Sequence, residues 1–171
     1  MPAALPPIVV MGVSAAGKSS VSAALALLLG VPWHDADDLH PPVNVEKMAA
    51  GIPLTDDDRW PWLDAVGAEL AAGEADGGVI VACSALRRAY RDRLRAAAPG
   101  TVFVHLTGAD ALLTQRAAAR VGHFMPATLL ASQLATLEPL QPDEAGAALD
   151  VIAPVADLAD AAARWIRGRA A

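Results

Sequence analysis

Four short apolar runs punctuate the chain: IVVMGV at 8–13, VIVAC at 79–83, TVFVHL at 101–106 and LDVIA at 149–153. Each is nearly continuous rather than alternating, which is the pattern of strands buried on both faces of a parallel sheet. Helical patterns lie between them. The Ala/Leu-rich stretch 18–29 stops at Gly30. Thr55 stands as an N-cap before Asp56, Asp57 and Asp58, three acids in a first turn. Ser84 is read as the cap of a helix running to Ala98, ended by Pro99-Gly100. Further helices are expected over 110–120, 126–137 and 155–167, and loops at PPVN (41–44) and EPLQPDE (138–144). Strands alternating with helices predict a single α/β domain over 1–171 with right-handed crossovers.

Composition narrows this picture. The 171 residues are 54% hydrophobic, enough to build a sizeable core. A formal net charge of −6 argues against a nucleic-acid-binding surface, yet a few local cations are enough for a small anionic ligand. Cys83 is the one cysteine, so no intrachain disulfide forms, as expected in a reducing compartment. The apolar stretch 21–31 is too short to span a bilayer, which takes about 20 residues. MPAALPPIVV has no basic region before its apolar run. The expectation is a soluble cytoplasmic protein.

Chemistry enters at GVSAAGKSS (12–20), which fits G-x-x-x-x-G-K-[ST] with Gly12, Gly17, Lys18 and Ser19 in the fixed places. A strand precedes it and a helix follows, the context that gives the motif weight. In such a loop the backbone N–H groups of Val13, Ser14, Ala15, Ala16 and Ser20 join those of the fixed residues around phosphate oxygens. Lys18 and the Ser19 hydroxyl reach the terminal phosphates and Mg²⁺. Ala15 and Ala16 are tolerated where their backbone stays at negative φ. VIVAC ends without a carboxylate and no N-K-x-D follows, which disfavours motor ATPases and GTPases. The acids sit in WHDADDLHP instead. If that segment is extended, Asp35 and Asp37, two residues apart, point the same way. One then holds Mg²⁺ through water and the other accepts a hydroxyl proton. The residues leave open which does which, with Asp37 the expected base and Asp35, with Ser19, on the metal side. The bland alternative is an acidic turn that caps the following helix.

Three longer stretches carry a resemblance: DADDLHPPVNVEKMAAGIPLTDDDRWPWL (35–63), CSALRRAYRDRLR (83–95) and QRAAARVGHFMPATLLASQLATLEPL (115–140). With the GVSAAGKS loop they cover most of the chain, in order, and they resemble the gluconokinases of the small P-loop kinase type. The H-P-x-x-N-x-x-K-M and G-H-F-M-P runs are the most specific. The loop departs from the Gly-Ser-like pair usual at 15–16. The resemblance implies a five-stranded parallel sheet flanked by helices, as in shikimate kinase. It also implies a substrate-binding helical region at about 38–75, a lid at about 116–138, and a homodimer. The implied activity is ATP-dependent phosphorylation of D-gluconate on its terminal hydroxyl.

Residue by residue, the resemblance assigns Gly12 to Ser19 to the nucleotide phosphates and Asp35 and Asp37 to the acceptor. His40, Asn44 and Lys47 belong to the segment that follows. Arg59 is given the substrate carboxylate, Arg87 and Arg91 belong to a basic helix, and Arg116, Arg120 and His123 belong to the lid. Arg116 and Arg120 share a helix face with no acid near in sequence, an arrangement that a triphosphate would answer. The plainer readings are packing for Trp60, Pro61 and Trp62, and a buried thiol for Cys83. For Arg88, Arg91 and Arg95 it is a solvated face, with Asp92 pairing Arg88, and this is the better reading of Arg91. Two competing functions remain: a kinase for another carboxylated acceptor such as shikimate, and a nucleotide-binding module without turnover.

Overall fold

The computed structural model describes residues 3–119 and 127–170. Its five strands are β1 (Pro7–Met11), β2 (Trp33–Asp35), β3 (Val79–Ala82), β4 (Val102–Thr107) and β5 (Gly146–Asp150). They form one parallel sheet in the order β2-β3-β1-β4-β5. The central place of β1 explains its unbroken apolar run: Ile8, Val9, Val10 and Met11 are all fully buried. Burying each such side chain contributes about 1.5–3 kcal/mol.

The helices are α1 (Lys18–Leu29), α2 (Pro42–Ala49), α3 (Asp56–Ala75), α4 (Arg88–Ala97), α5 (Asp110–Ala119), α6 (Ala127–Thr136) and α7 (Val155–Ala170). The step from β1 to β2 runs one way across the sheet, and the steps β2 to β3 and β3 to β4 run the other. Right-handed crossovers therefore put α1 on one face and α3 and α4 on the opposite one. The packing agrees, with α1 against α7 and α3 against α4. α1 ends at Gly30, left-handed at φ 69°, as its sequence predicts. α3 opens with a full capping box: Thr55 Oγ1 accepts from Asp58 N–H, and Asp58 Oδ2 accepts from Thr55 N–H.

Four elements differ from the sequence reading. β2 is only three residues long, too short for a periodicity to register. PPVN opens α2 rather than a loop, with a proline in its first turn where the missing N–H costs nothing. Ser84 does not cap α4, which begins at Arg88. The chain first passes through Ala85 at φ 45°, and Arg88 N–H is capped by Glu138 Oε1 at 2.9 Å, from far along the chain. β5 lies three residues earlier than its apolar run suggested. It is lined by small residues, and Val151 and Ile152 fall in the turn that follows, where Asp150 Oδ1 accepts from Ile152 N–H.

Candidate active site

β1 delivers the chain into the glycine loop at the C-terminal edge of the sheet. Gly12 has φ 146°, and a Cβ there would lie 2.9 Å from the Leu106 carbonyl oxygen of β4. Its N–H donates to Ser84 O at 3.3 Å, so strands on both sides hold the turn. Gly17, left-handed at φ 88°, starts α1. Ser14–Ala16 form a 3-10 turn, and Ala85 is the one non-glycine among the described residues at positive φ. The two alanines thus meet the condition their sequence set. Ala16 turns into the core and Ala15 borders the cleft. Lys18 Nζ donates to Val13 O at 3.0 Å, curling over the loop. Ser14 N–H donates to the Gln133 side chain of α6 at 2.8 Å. That donor fixes the carboxamide, since only its oxygen accepts.

Ser19 Oγ donates to Asp35 Oδ2 at 2.8 Å, so the two residues expected on the metal side meet. The expected extended run through Asp35 and Asp37 is corrected: Asp35 ends β2, and Asp37 lies in a 3-10 turn spanning Ala36–Leu39. Asp35 Oδ1 accepts from Asp37 N–H at 3.0 Å, which caps that turn, because a short carboxylate reaches its own backbone two residues on. One oxygen of Asp35 thus caps the turn, and the other meets the Ser19 hydroxyl. Asp35 and Asp37 border a single cleft of about 200 Å³ together with Ser14, Lys18, Ser19 and Arg59.

The far wall of the cleft is built by the turn after β2 and the start of α3. His40 stacks on Trp62 with ring centroids 4.1 Å apart, and Trp62 is pinned by its own Nε1–H to Ala36 O at 2.7 Å. Burial, and then the Arg59 charge, pull His40 down to about 4, so the ring is neutral near pH 7. Asn44 Nδ2 donates to His40 Nδ1 at 3.2 Å, which leaves the proton on Nε2 as a donor. Asn44, itself buried, also donates to Asp58 O at 2.8 Å. Arg59 Nη1 donates to the Tyr90 hydroxyl at 2.7 Å, with the guanidinium carbon 5.2 Å from the ring centroid.

The "Gluconokinase" of Gluconobacter oxydans (strain 621H) is 49% identical to this chain over 141 residues, covering 80% of this chain and 78% of that protein. The chain belongs to the gluconokinase family. A crystal structure of a gluconokinase from Sinorhizobium meliloti 1021 superposes with a TM-score of 0.89 at 48% identity, over 98% of this chain and 95% of that one. The shikimate kinase of Aquifex aeolicus vf5 shares the fold alone, with a TM-score of 0.60 at 15% identity over 96% and 98% of the two chains. No protein-family model matches the chain.

Within this gluconokinase-family fold the residues singled out from sequence fall into three groups. Gly12, Val13, Ser14, Ala15, Ala16, Gly17, Lys18 and Ser19 form the loop, with Ser20 exposed on α1 behind it. Ser14, Ala15, Lys18, Ser19, Asp35, Asp37, His40 and Arg59 border the cleft. A second group braces its walls. Lys47 Nζ donates to both carboxylate oxygens of Asp58 at 2.9 Å, tying α2 to α3. The Lys47 hydrogen bond, followed by that of Thr55 N–H, lowers Asp58 to about 2. Arg87 stands 3.6 Å from the Asp56 carboxylate and, like Arg116, is not part of the cleft lining. Arg120 and His123 form the third group and lie outside the described residues.

Arg91 is a correction. It is not on a solvated face but fully buried, its Nε and Nη2 donating to Glu144 at 2.7 and 3.0 Å and its Nη1 to Ala85 O at 2.9 Å. Helix spacing shows only neighbours on the same helix, and Glu144 arrives from the loop after α6. The Arg88–Asp92 pair does form, at 3.6 Å. Burial raises the Cys83 thiol to about 12, which leaves it inert. Sequence reasoning missed Tyr90 and Gln133. The signal was slight: Gln133 is polar at an inward position among Leu129, Leu130 and Leu134, while Tyr90 shares the buried face of α4 with Arg91 and Leu94.

Proposed function

We propose that this chain transfers the terminal phosphoryl group of ATP to the terminal hydroxyl of D-gluconate, giving 6-phosphogluconate and ADP. The observation that carries the reading is the single cleft in which the glycine loop, the Ser19–Asp35 pair, Asp37 and Arg59 meet. The loop amides and the N-terminus of α1 bind the phosphates, and Lys18 balances charge on the transferring group. The hydroxyl of Ser19 and the carboxylate of Asp35, two hard oxygen donors 2.8 Å apart, fit Mg²⁺, which takes few protein ligands and completes its shell with water and phosphate. When bound, the ion neutralises phosphate charge. Asp37 accepts the proton of the attacking hydroxyl. Neutral His40 offers its Nε2–H to a substrate oxygen, and Arg59 grips the carboxylate with its planar fork. Positioning and charge stabilisation are most of what phosphoryl transfer requires.

The same reading places the acceptor region at about 38–75 and the lid at about 116–138, with Arg116, Arg120 and His123 closing over the nucleotide. Lys47 and Arg87 hold or border the acceptor side. A homodimer in the cytoplasm completes it, supported by the family resemblance; among the described residues no helix is long and apolar enough to cross a membrane. The test is steady-state ADP release with MgATP and a panel of aldonic acids, shikimate and nucleoside monophosphates. Turnover with gluconate well above the rest is expected. Preference for shikimate or a nucleotide would reassign the acceptor, and binding of ATP without turnover on any acceptor would reduce the protein to a nucleotide-binding module.

A further inference from the structure

Arg59 has an acid of its own close by. Asp56 sits three residues earlier on α3, in ion-pairing range along a helix, and is half-exposed. Its Oδ2 stands 3.6 Å from Arg87 Nη1, and its Oδ1, left to itself, would pair with Arg59 and spend the guanidinium on an internal carboxylate. The structure instead interposes Tyr90. Its ring is buried on α4, 1% exposed, held edge-on by Trp60 at 5.7 Å. Its hydroxyl accepts from Arg59 Nη1 at 2.7 Å and donates to Asp56 Oδ1. No hydrogen bond joins Arg59 to Asp56, and among the described residues the rest of the Arg59 fork has no hydrogen-bond partner while Arg59 borders the cleft. Burial and the Asp56 hydrogen bond raise the phenol above its usual range, so it stays protonated and its donor remains available for Asp56.

The geometry points to Tyr90 as a positioning residue for substrate selection. Its hydroxyl satisfies Asp56 and anchors one Arg59 nitrogen, so that the remaining guanidinium edge is kept for the carboxylate of an acceptor. This rests on the reading of Arg59 as the carboxylate grip. It differs from a plain packing role because it names a competitor: remove the hydroxyl, and Asp56 takes the arginine. An arginine held on a rigid ring also loses less freedom when substrate arrives than one that must be ordered from solution.

Four proteins decide it: wild type, Tyr90→Phe, the double variant Tyr90→Phe/Asp56→Asn, and Arg59→Lys. Tyr90→Phe keeps the ring and its packing, and melting curves check that all four are folded. Tyr90→Phe is expected to raise the gluconate KM about tenfold, the effect of one lost hydrogen bond to a charged group. kcat and the Kd of a non-hydrolysable ATP analogue should stay near wild type. The double variant, with the competitor neutralised, should recover most of that KM. An unchanged KM in Tyr90→Phe beside a raised KM in Arg59→Lys overturns the role of Tyr90 alone. So does a double variant as impaired as Tyr90→Phe, since a merely structural hydroxyl has nothing to gain from Asp56→Asn. An unchanged KM in Arg59→Lys removes the carboxylate grip itself, and the role of Tyr90 with it.

Discussion

Gly12→Ala is a sharp test of how the sheet shapes the phosphate loop. The added methyl would meet the Leu106 carbonyl oxygen at 2.9 Å and Ala16 Cβ at 3.1 Å. The first obstacle is backbone of β4, hydrogen-bonded between β1 and β5, and cannot rotate away. The residue also holds φ 146°, a region that costs a residue with a side chain about 1–3 kcal/mol. Overpacking adds about 1–3 kcal/mol. A total near 4 kcal/mol is a large share of the ~5–15 kcal/mol that holds a domain together. At about 2–4 °C per kcal/mol for a chain of this size, the melting temperature should fall by roughly 10 °C. Gly17→Ala supplies the control: its Cβ meets nothing within 4 Å, so only the left-handed backbone, φ 88°, is strained. It should cost about 1–2 kcal/mol. Thermal melts and ATP-analogue calorimetry on both variants give the comparison. If Gly12→Ala melts as high as Gly17→Ala and binds the analogue as wild type does, β4 does not constrain the loop as argued.

Lys18→Met should abolish turnover while the fold persists, because the proposed mechanism gives Lys18 the charge on the transferring phosphoryl group; near-normal kcat with gluconate would show that the phosphates bind elsewhere. Asp35→Ala should raise the Mg²⁺ concentration needed for half-maximal rate, read from a metal titration, and an unchanged titration would move the ion off the Ser19–Asp35 pair. Glu138→Ala strips the Arg88 N–H of its acceptor and should cost about 1 kcal/mol in urea unfolding, a loss absent if water replaces the cap. Buried His105 is depressed by its burial, and then by Arg91, to about 4 from 6.5. The unfolded chain therefore takes up protons that the folded one refuses between those values, and stability falls as pH drops through that window. At about 1.4 kcal/mol per pH unit the loss is on the order of 3 kcal/mol. His40 is depressed alike and adds a similar loss in the same window, so His105→Leu should remove about half of that limb of a stability–pH curve, and a limb of unchanged depth would show that His105 does not contribute to it.

What could be read in advance was whatever the chain states locally. The interior strands were legible because both of their faces are buried, and α1 and α3 because Gly30 and Thr55 mark an end and a beginning. β2 and β5 are edge strands, so their apolar signal is short or displaced. α4 was misjudged at its start because its cap, Glu138, and the partner of its buried Arg91, Glu144, come from a loop some 50 residues away. The site divides along the same line. The glycine loop and the two aspartates stand in contiguous motifs. Tyr90 acts on Arg59 from another helix, and nothing in the spacing of CSALRRAYRDRLR connects them.

The middle position of β1 has a consequence for biosynthesis. The glycine loop is translated before β3 and β4, yet one of its walls is Ser84 and another is Leu106. A nascent chain that has not yet released β4 has the loop's sequence without its shape. ATP, which stabilises only the form that binds it, gives no help until β4 has emerged, and acts as a folding ligand only from then on. Products truncated before β4 carry the nucleotide motif but do not draw on the nucleotide pool.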